Sequence, residues 1–202
     1  MGFDKLSASL GGISVLQRTV NAFIAADMVA EILIVTSQER WESLSLKAAA
    51  VPVLRVDGGR SRQDSVAAGL AKARMNFVAI HDGARPMILP EEIDRVVNHA
   101  VTHKAVALAR RVSETLQRCD LDGIVVEGVN RENLWSMETP QVFETTLLRE
   151  AYQRVIATGI VVTDEVTAFQ GSGIPVRILE SLKPNLKITQ PSDLSLAEAL
   201  LR

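Results

Sequence analysis

The alternation of short β-branched runs with longer amphipathic stretches constrains this chain more than any single motif does. Residues 31–37 (EILIVTS), 51–56 (VPVLRV), 77–82 (FVAIHD) and 105–110 (AVALAR) are apolar runs of strand length without a polar face. Such runs predict strands buried on both sides. Helical patterns occupy residues 14–26, about 38–50, 61–74 and 89–104. The last of these opens with Pro90-Glu91-Glu92, a proline and two acids suited to a first helical turn. Strands and helices alternating at this spacing predict βαβ units, hence an α/β fold with a mostly parallel sheet flanked by helices. In such sheets ligands bind at the carboxyl ends of the strands.

After residue 110 the rhythm changes. Residues 112–130 read as two extended stretches around the turn Asp120-Leu121-Asp122-Gly123, a β-arm that leaves the sheet over about 111–132. A helix is predicted at 144–158, and another from Thr163 with acids in its first turn. Residues 175–180 (PVRILE) and 185–189 (NLKIT) read as short strands, and residues 192–202 as a capped C-terminal helix. The 202 residues contain no repeat, low-complexity tract or linker, which predicts a single domain.

Composition narrows the function. Residues are 47% hydrophobic but only 4% aromatic, so the core is built from Val, Leu, Ile and Ala. A formal charge of −2 provides no general attraction to nucleic acid or to an anionic membrane. An anionic ligand would need a local cluster of cations. The lone cysteine, Cys119, excludes an internal disulfide and fits a reducing cytosol. No apolar run approaches a membrane span and no secretory pattern follows Met1, so the simplest reading is a cytoplasmic protein with neither nucleic-acid nor membrane partners.

Two stretches carry candidate chemistry. In residues 56–70 (VDGGRSRQDSVAAGL) a strand ends, Gly58-Gly59 permits an unusual backbone path, and a helix starts near Ser61. Unpaired N–H groups at that helix start suit an anion or a base edge, and Arg60 and Arg62 add positive charge. The plain alternative is a well-capped βα turn. In residues 81–86 (HDGARP), Asp82 at a strand end suits a divalent cation, which prefers hard oxygen ligands. Arg85 suits either a phosphate or a pairing with Asp82. His81 has no second histidine at metal spacing and reads as structural. Lys5, Thr115, Arg131, Thr163 and Lys187 are each ordinary residues, and their spacing alone does not bring them together. Neither a nucleophile triad, nor a zinc spacing, nor a complete GxxxxGK[ST] or GxGxxG loop is present.

Six collinear stretches, residues 57–70, 78–86 (VAIHDGARP), 130–135 (NRENLW), 138–143 (ETPQVF), 162–169 (VTDEVTAF) and 185–201, resemble the bacterial family of 2-C-methyl-D-erythritol 4-phosphate cytidylyltransferases. The resemblance covers essentially the whole chain. Ribitol-5-phosphate cytidylyltransferases have a similar pattern. The resemblance implies a Rossmann-like nucleotidyltransferase that joins CTP to a polyol phosphate, releases pyrophosphate and serves the non-mevalonate isoprenoid pathway. The nucleophile would be a substrate phosphate that is already anionic, so no general base is needed, and catalysis would come from cations and positioning. Matched position by position, Gly58, Gly59 and Ser65 would recognise cytosine. Asp82 would sit beside Mg²⁺ (or another divalent cation) and the polyol phosphate, and Arg85 would hold the end of that loop. Lys5 matches a lysine that stabilises the transition state. Thr115 and Arg131 would grip the methylerythritol phosphate from the arm, which in the family reaches into a partner subunit, implying a homodimer. Thr163 and Lys187 match further substrate-positioning residues, with Arg131 and Lys187 among the catalytic cations, and Thr139 falls in the matching Thr-Pro-Gln stretch.

The chain departs from the family pattern at several points. Lys5 stands in Phe-Asp-Lys-Leu rather than Pro-Lys-Gln, Gly83 replaces a common alanine, and Glu138 replaces an uncharged Gln. Family members also open with a buried strand and a glycine-rich triphosphate loop, where this sequence opens Met-Gly-Phe-Asp-Lys. The expectation is therefore an incomplete version of a longer protein, with two strands left unpaired in mid-sheet, weak CTP binding and little turnover. Two other readings stand beside the leading one. One is a ribitol 5-phosphate acceptor. The other is an inactive binding or regulatory homologue, against which the retention of Lys5, Asp82, Arg131 and Lys187 argues.

Overall fold

The computed structural model describes residues 4–46 and 49–201. Met1 and Gly2, which belong to the expectation about the chain's opening, lie outside them. A minute hairpin comes first, β1 (Ser9–Leu10) against β2 (Ile13–Ser14). Its turn, Gly11-Gly12, has φ of 59° and 85°, the left-handed path that glycine adopts without penalty. There follow α1 (Val15–Ala25), β3 (Ile32–Val35), α2 (Gln38–Glu42), β4 (Val53–Val56), α3 (Arg62–Lys72), β5 (Phe77–Ile80), α4 (Pro90–His103) and β6 (Ala105–Arg111). The chain continues through β7 (Leu116–Cys119), β8 (Val125–Val129), β9 (Trp135–Glu144), α5 (Thr145–Thr158), α6 (Glu165–Phe169), β10 (Arg177–Glu180) and α7 (Pro191–Leu200).

The main sheet has the order β10-β6-β9-β5. β10 pairs parallel to β6, while β9 pairs antiparallel to both β6 and β5, so β9 alone runs against the other three strands. With both neighbours of β9 antiparallel to it, the sheet is mixed. The sequence pattern does not reveal β9, because its polar Glu138, Thr139 and Gln141 hide the strand periodicity, although residues 138–142 are all buried. One face of the sheet is covered by α4, whose Ile93, Val96 and Ala100 pack with Val106, Leu108 and Val142. The other is covered by α3, α5 and α6 through Leu70, Leu148, Tyr152 and Phe169 against Ala105 and Phe143.

Four local readings are corrected. α2 stops at Glu42 rather than running to about 50. The Ser43 hydroxyl donates to Arg40 O, and Ser45 N–H is captured by Gln17 Oε1 of α1 at 2.6 Å, so serine chemistry pulls the backbone out of the helix. Residues 185–189 form no strand: Ile188 N–H donates to Ala84 O, while the side chains of Asn185 and Lys187 are drawn into the site. The helix expected from Thr163 starts at Glu165, capped by Asp164, whose Oδ1 accepts from Thr167 N–H. The C-terminal helix starts at Pro191, with Asp193 Oδ2 accepting the Gln190 N–H.

β3 and β4 pair parallel as a separate two-stranded sheet, and no ladder joins β3 to β5. Between these two strands lies an apolar cavity of about 640 Å³, lined by every residue of both. Leu16, Val20 and Phe23 of α1 and Val66 and Leu70 of α3 close its sides. Each of the two strands keeps one ladder partner, β4 for β3 and β9 for β5, and no ladder crosses the slot between them. Among the described residues no helix is long and apolar enough to cross a membrane.

Candidate active site

The cavity turns polar at its rim, where Lys5, Arg62, Ser65, Asp82 and Lys187 join the lining. That rim lies at the carboxyl end of β5, where the sheet rule places a ligand. Asp82 is its centre. Lys187 Nζ stands 2.8 Å from Asp82 Oδ2, Arg85 Nε 3.5 Å from the same oxygen, and Arg62 Nε 3.6 Å from Oδ1. Burial by itself would raise the Asp82 carboxyl. The hydrogen bond and charge of Lys187, with Arg62 and Arg85, outweigh it and hold the group below the ordinary carboxylate range.

The loop after β5 is held by a hydrogen-bond chain whose direction follows from chemistry. Arg85 O only accepts, so His81 Nε2, 3.2 Å away, carries the proton. His81 Nδ1 therefore accepts from the Thr139 hydroxyl at 3.0 Å, and the Thr139 oxygen accepts from Asp82 N–H at 3.1 Å. A charged imidazole would break this chain, and burial pushes His81 down to about 4, which keeps it neutral. Thr139 is only 3% exposed and its hydroxyl is spent on both sides. It is tied to the site through the Asp82 N–H.

Arg85 is buried as well. Its Nη1 donates to Asn185 O at 2.8 Å, and Asn185 Nδ2 donates to Thr139 O at 2.6 Å, so Arg85 locks the loop from below. On the adjacent edge, Gly58 and Gly59 lie exposed before α3. A Cβ on Gly59 would lie 2.2 Å from Asp64 Cβ, so no side chain fits there. The Ser65 hydroxyl accepts from Gly59 N–H at 3.1 Å and donates to Ser61 O at 2.9 Å, bracing the turn. Ser61 and Asp64 close a capping box over the helix start.

Lys5, half-buried at the rim, has no ion pair among the described residues. Thr163 is exposed, and its carbonyl accepts from Arg62 at 3.4 Å. The structure thus gathers Lys5, the Gly58-Gly59 turn, Ser65, Asp82, Arg85, Thr163 and Lys187 around one edge. Thr115 and Arg131 stand elsewhere, together at the root of the β7–β8 hairpin. There Arg131 Nη1 donates to Ser113 O, and no hydrogen bond or ion pair among the described residues ties them to Asp82. Glu138 is 2% exposed, and its charge is answered by Arg110 at 3.0 Å and by the Ser181 hydroxyl at 2.7 Å, so its departure from an uncharged Gln is absorbed locally. A divalent cation would find a single suitable carboxylate in Asp82, for the described residues hold no group of three His, Cys, Asp or Glu at metal distance. One carboxylate suits Mg²⁺, which takes its other ligands from phosphates and water.

Sequence reasoning marked Arg62 only as positive charge at the helix start, and missed Gln141 and Glu165 as members of this assembly. Arg62 forks onto Glu165 at 2.8 and 2.9 Å, and Gln141 Oε1 accepts the N–H groups of Glu165 and Val166. Glu165 follows Asp164 at a helix start, so in the sequence it reads as an ordinary first-turn acid.

Comparison with known proteins adds an independent line. The family profile described as IspD, 2-C-methyl-D-erythritol 4-phosphate cytidylyltransferase, matches residues 1–202. The 2-C-methyl-D-erythritol 4-phosphate cytidylyltransferase of Aeromonas hydrophila is 34% identical over 194 residues, 96% of this chain and 80% of that protein. The enzyme of the same name from Prochlorococcus marinus is 37% identical over 207 residues, covering 100% of this chain and 92% of the relative. The crystal structure of the Thermus thermophilus enzyme of that name superposes with a TM-score of 0.84 at 33% identity, covering 98% of this chain and 94% of the other.

Proposed function

Because the chain belongs to the 2-C-methyl-D-erythritol 4-phosphate cytidylyltransferase family, we propose that the Asp82 edge joins CTP to 2-C-methyl-D-erythritol 4-phosphate and releases pyrophosphate. The chain is a nucleotidyltransferase of the non-mevalonate isoprenoid pathway, and the methylerythritol phosphate reading stands ahead of a ribitol phosphate acceptor or an inactive homologue. One observation carries the assignment of the site: three cations converge on a single ionised carboxylate at the carboxyl edge of β5.

The chemistry needs such an arrangement. An oxygen of the polyol phosphate attacks the α-phosphorus of CTP, a new P–O bond forms, and the bond from that phosphorus to the bridging oxygen breaks. The electron pair leaves with pyrophosphate. No proton has to be taken from the nucleophile, so no side chain is needed as a base. The obstacle is the approach of two polyanions and the charge that builds on the α-phosphate, and fixed cations lower it. In this reading Lys5, Arg131 and Lys187 are the catalytic cations. Gly58, Gly59 and Ser65 present cytidine, while Asp82, Thr115 and Thr163 position the polyol phosphate. Arg85 and Thr139 support Asp82 from behind. Mg²⁺ held by Asp82 would neutralise phosphate charge when bound.

The whole chain acts as one nucleotidyltransferase domain whose arm, about 111–132, crosses to a second copy and makes a homodimer. Two features of the arm support this. Thr115 and Arg131 lie apart from the Asp82 cluster of their own protomer. Leu121 at the arm's tip is fully exposed, and Ile124, Val125 and Val126 are also exposed, which is costly surface for a lone hairpin. Pyrophosphate release from CTP and methylerythritol phosphate, with ribitol 5-phosphate in parallel, tests the reading. Turnover should favour methylerythritol phosphate by more than about 100-fold, since the site is built to hold its polar groups. Equal turnover of both, or of neither, would remove the assignment.

A further inference from the structure

Glu165 is wholly buried, yet it carries a carboxylate. It accepts from Arg62 Nη1 at 2.8 Å, Arg62 Nη2 at 2.9 Å and the Tyr152 hydroxyl at 3.0 Å. Arg62 itself is exposed, so the pair has one buried partner. Such a pair is weak evidence for stability, because an apolar residue in place of Glu165 serves a core as well or better. What a bidentate fork provides that apolar packing does not is a fixed orientation. The fork leaves Arg62 Nε aimed at Asp82 Oδ1, 3.6 Å away. Arg62 is also the first residue of α3, directly after the glycine turn and its cap.

A second tie joins the same two segments. Gln63, next along α3, accepts from Val162 N–H through Oε1 at 3.0 Å. Residues 62–63 and 162–165 are thus stapled together across about a hundred positions of sequence. Gln141 fixes the far side of the staple by accepting from Glu165 N–H and Val166 N–H, both at 3.1 Å, while its Nε2 donates to Asp164 Oδ2 at 3.0 Å. The glycine turn, Asp82 and Thr163 are thereby linked through one set of side chains.

We propose that Arg62 and Glu165 are positioning residues that set the register between the cytidine half of the site and the polyol phosphate half. The inference rests on the function proposed above. A register pin acts only when both substrates are present, because each half-site can still bind its own ligand when the two are slightly misaligned. The signature is a fall in kcat with little change in either KM, and misalignment of about 1 Å is enough to cost roughly 100-fold.

The test uses Glu165→Gln, Arg62→Lys and the paired variant Arg62→Met/Glu165→Met, with steady-state kinetics and thermal unfolding of each. Glu165→Gln and Arg62→Lys should lower kcat about 100-fold and shift each KM less than about threefold. The paired variant, which removes the buried Glu165 charge together with its partner, should recover the unfolding temperature while kcat stays low. Should the paired variant recover kcat along with stability, the pair is only structural and the inference is overturned. Parental kcat in Glu165→Gln would overturn it equally. Where Glu165→Gln fails to fold, the paired variant decides. Absence of turnover in the parent enzyme would instead remove the proposed function, and the inference with it.

Discussion

The Asp82 edge and the β-arm stand at opposite extremes of organisation. At the edge Asp82 and its loop are held several times over. Asp82 faces three cations, its backbone N–H is bound by Thr139, and the loop's Arg85 is tethered to Asn185. The arm is a two-stranded antiparallel hairpin with little besides the pairing of β7 and β8, an Arg118–Glu127 ion pair at 2.7 Å and the Arg131 contact to Ser113. An isolated hairpin of this kind is marginal in water. The difference teaches that pre-arranged charge belongs where the chemistry is, while an exposed apolar arm belongs where a second surface is to be met.

The strongest way to break the contrast is to neutralise its centre. Asp82→Asn leaves the shape but removes the charge that organises Lys187, Arg62 and Arg85. kcat/KM should fall about 1,000-fold with the circular-dichroism spectrum unchanged, as for other losses of a preorganised electrostatic group. A variant within tenfold of the parent would show that the carboxylate is not the centre of the site.

The arm should respond in the opposite way. Leu121→Asp with Val125→Asp puts charge on its apolar surface, so the dimer should dissociate in analytical ultracentrifugation while the unfolding temperature of the protomer changes by only a few degrees or less. Surface substitutions away from packed features typically shift stability by about 0.5 kcal/mol. A large loss of protomer stability would mean that the arm belongs to the fold.

At the glycine turn, the Cβ of Gly59→Ala would collide with Asp64 and displace the turn and its cap. The KM for CTP should rise about tenfold, while the KM for the polyol phosphate, which binds the Asp82 half, should move less than twofold. Equal effects on both would contradict the division into two halves.

The effect of pH is read in stability rather than in turnover. His81 is held neutral, with a folded-state value of about 4 against an ordinary value of 6.5. Because the folded value is depressed, the unfolded chain binds the proton first, and stability is lost as pH falls from about 6.5 towards 4. The loss should be on the order of 3 kcal/mol across that window. The depressed Asp82 value acts in the same direction at still lower pH. Urea unfolding at pH 7, 5.5 and 4 measures it, and His81→Asn should flatten the dependence above pH 4.

How much of this was legible in the sequence follows from how each feature is built. Strands such as β6, with five successive fully buried apolar residues, declare themselves locally. The hairpin arm does too, through its Asp-Leu-Asp-Gly turn. β9 does not, because its buried Glu138, Thr139 and Gln141 are satisfied by distant partners, Arg110, His81 and the α6 backbone. The site divides in the same way. Asp82 and the glycine turn can be found from a strand end and a helix start. Lys187 reaches Asp82 across more than a hundred residues, and the Arg62–Glu165 pair spans a similar distance, so only the fold brings them together. Collinear resemblance supplied the convergence for Lys187 but not for Arg62, which carries no signal beyond its charge.

The most direct measurement mixes two inactive homodimers, Asp82→Asn and Arg131→Ala, and allows the subunits to exchange. If the arm of one protomer completes the edge of the other, half of the exchanged dimers are mixed, and each mixed dimer holds one intact site. Activity should then return to about a quarter of the parental value. No recovery after demonstrated subunit exchange would contradict a site shared between the arm and the partner's Asp82 edge.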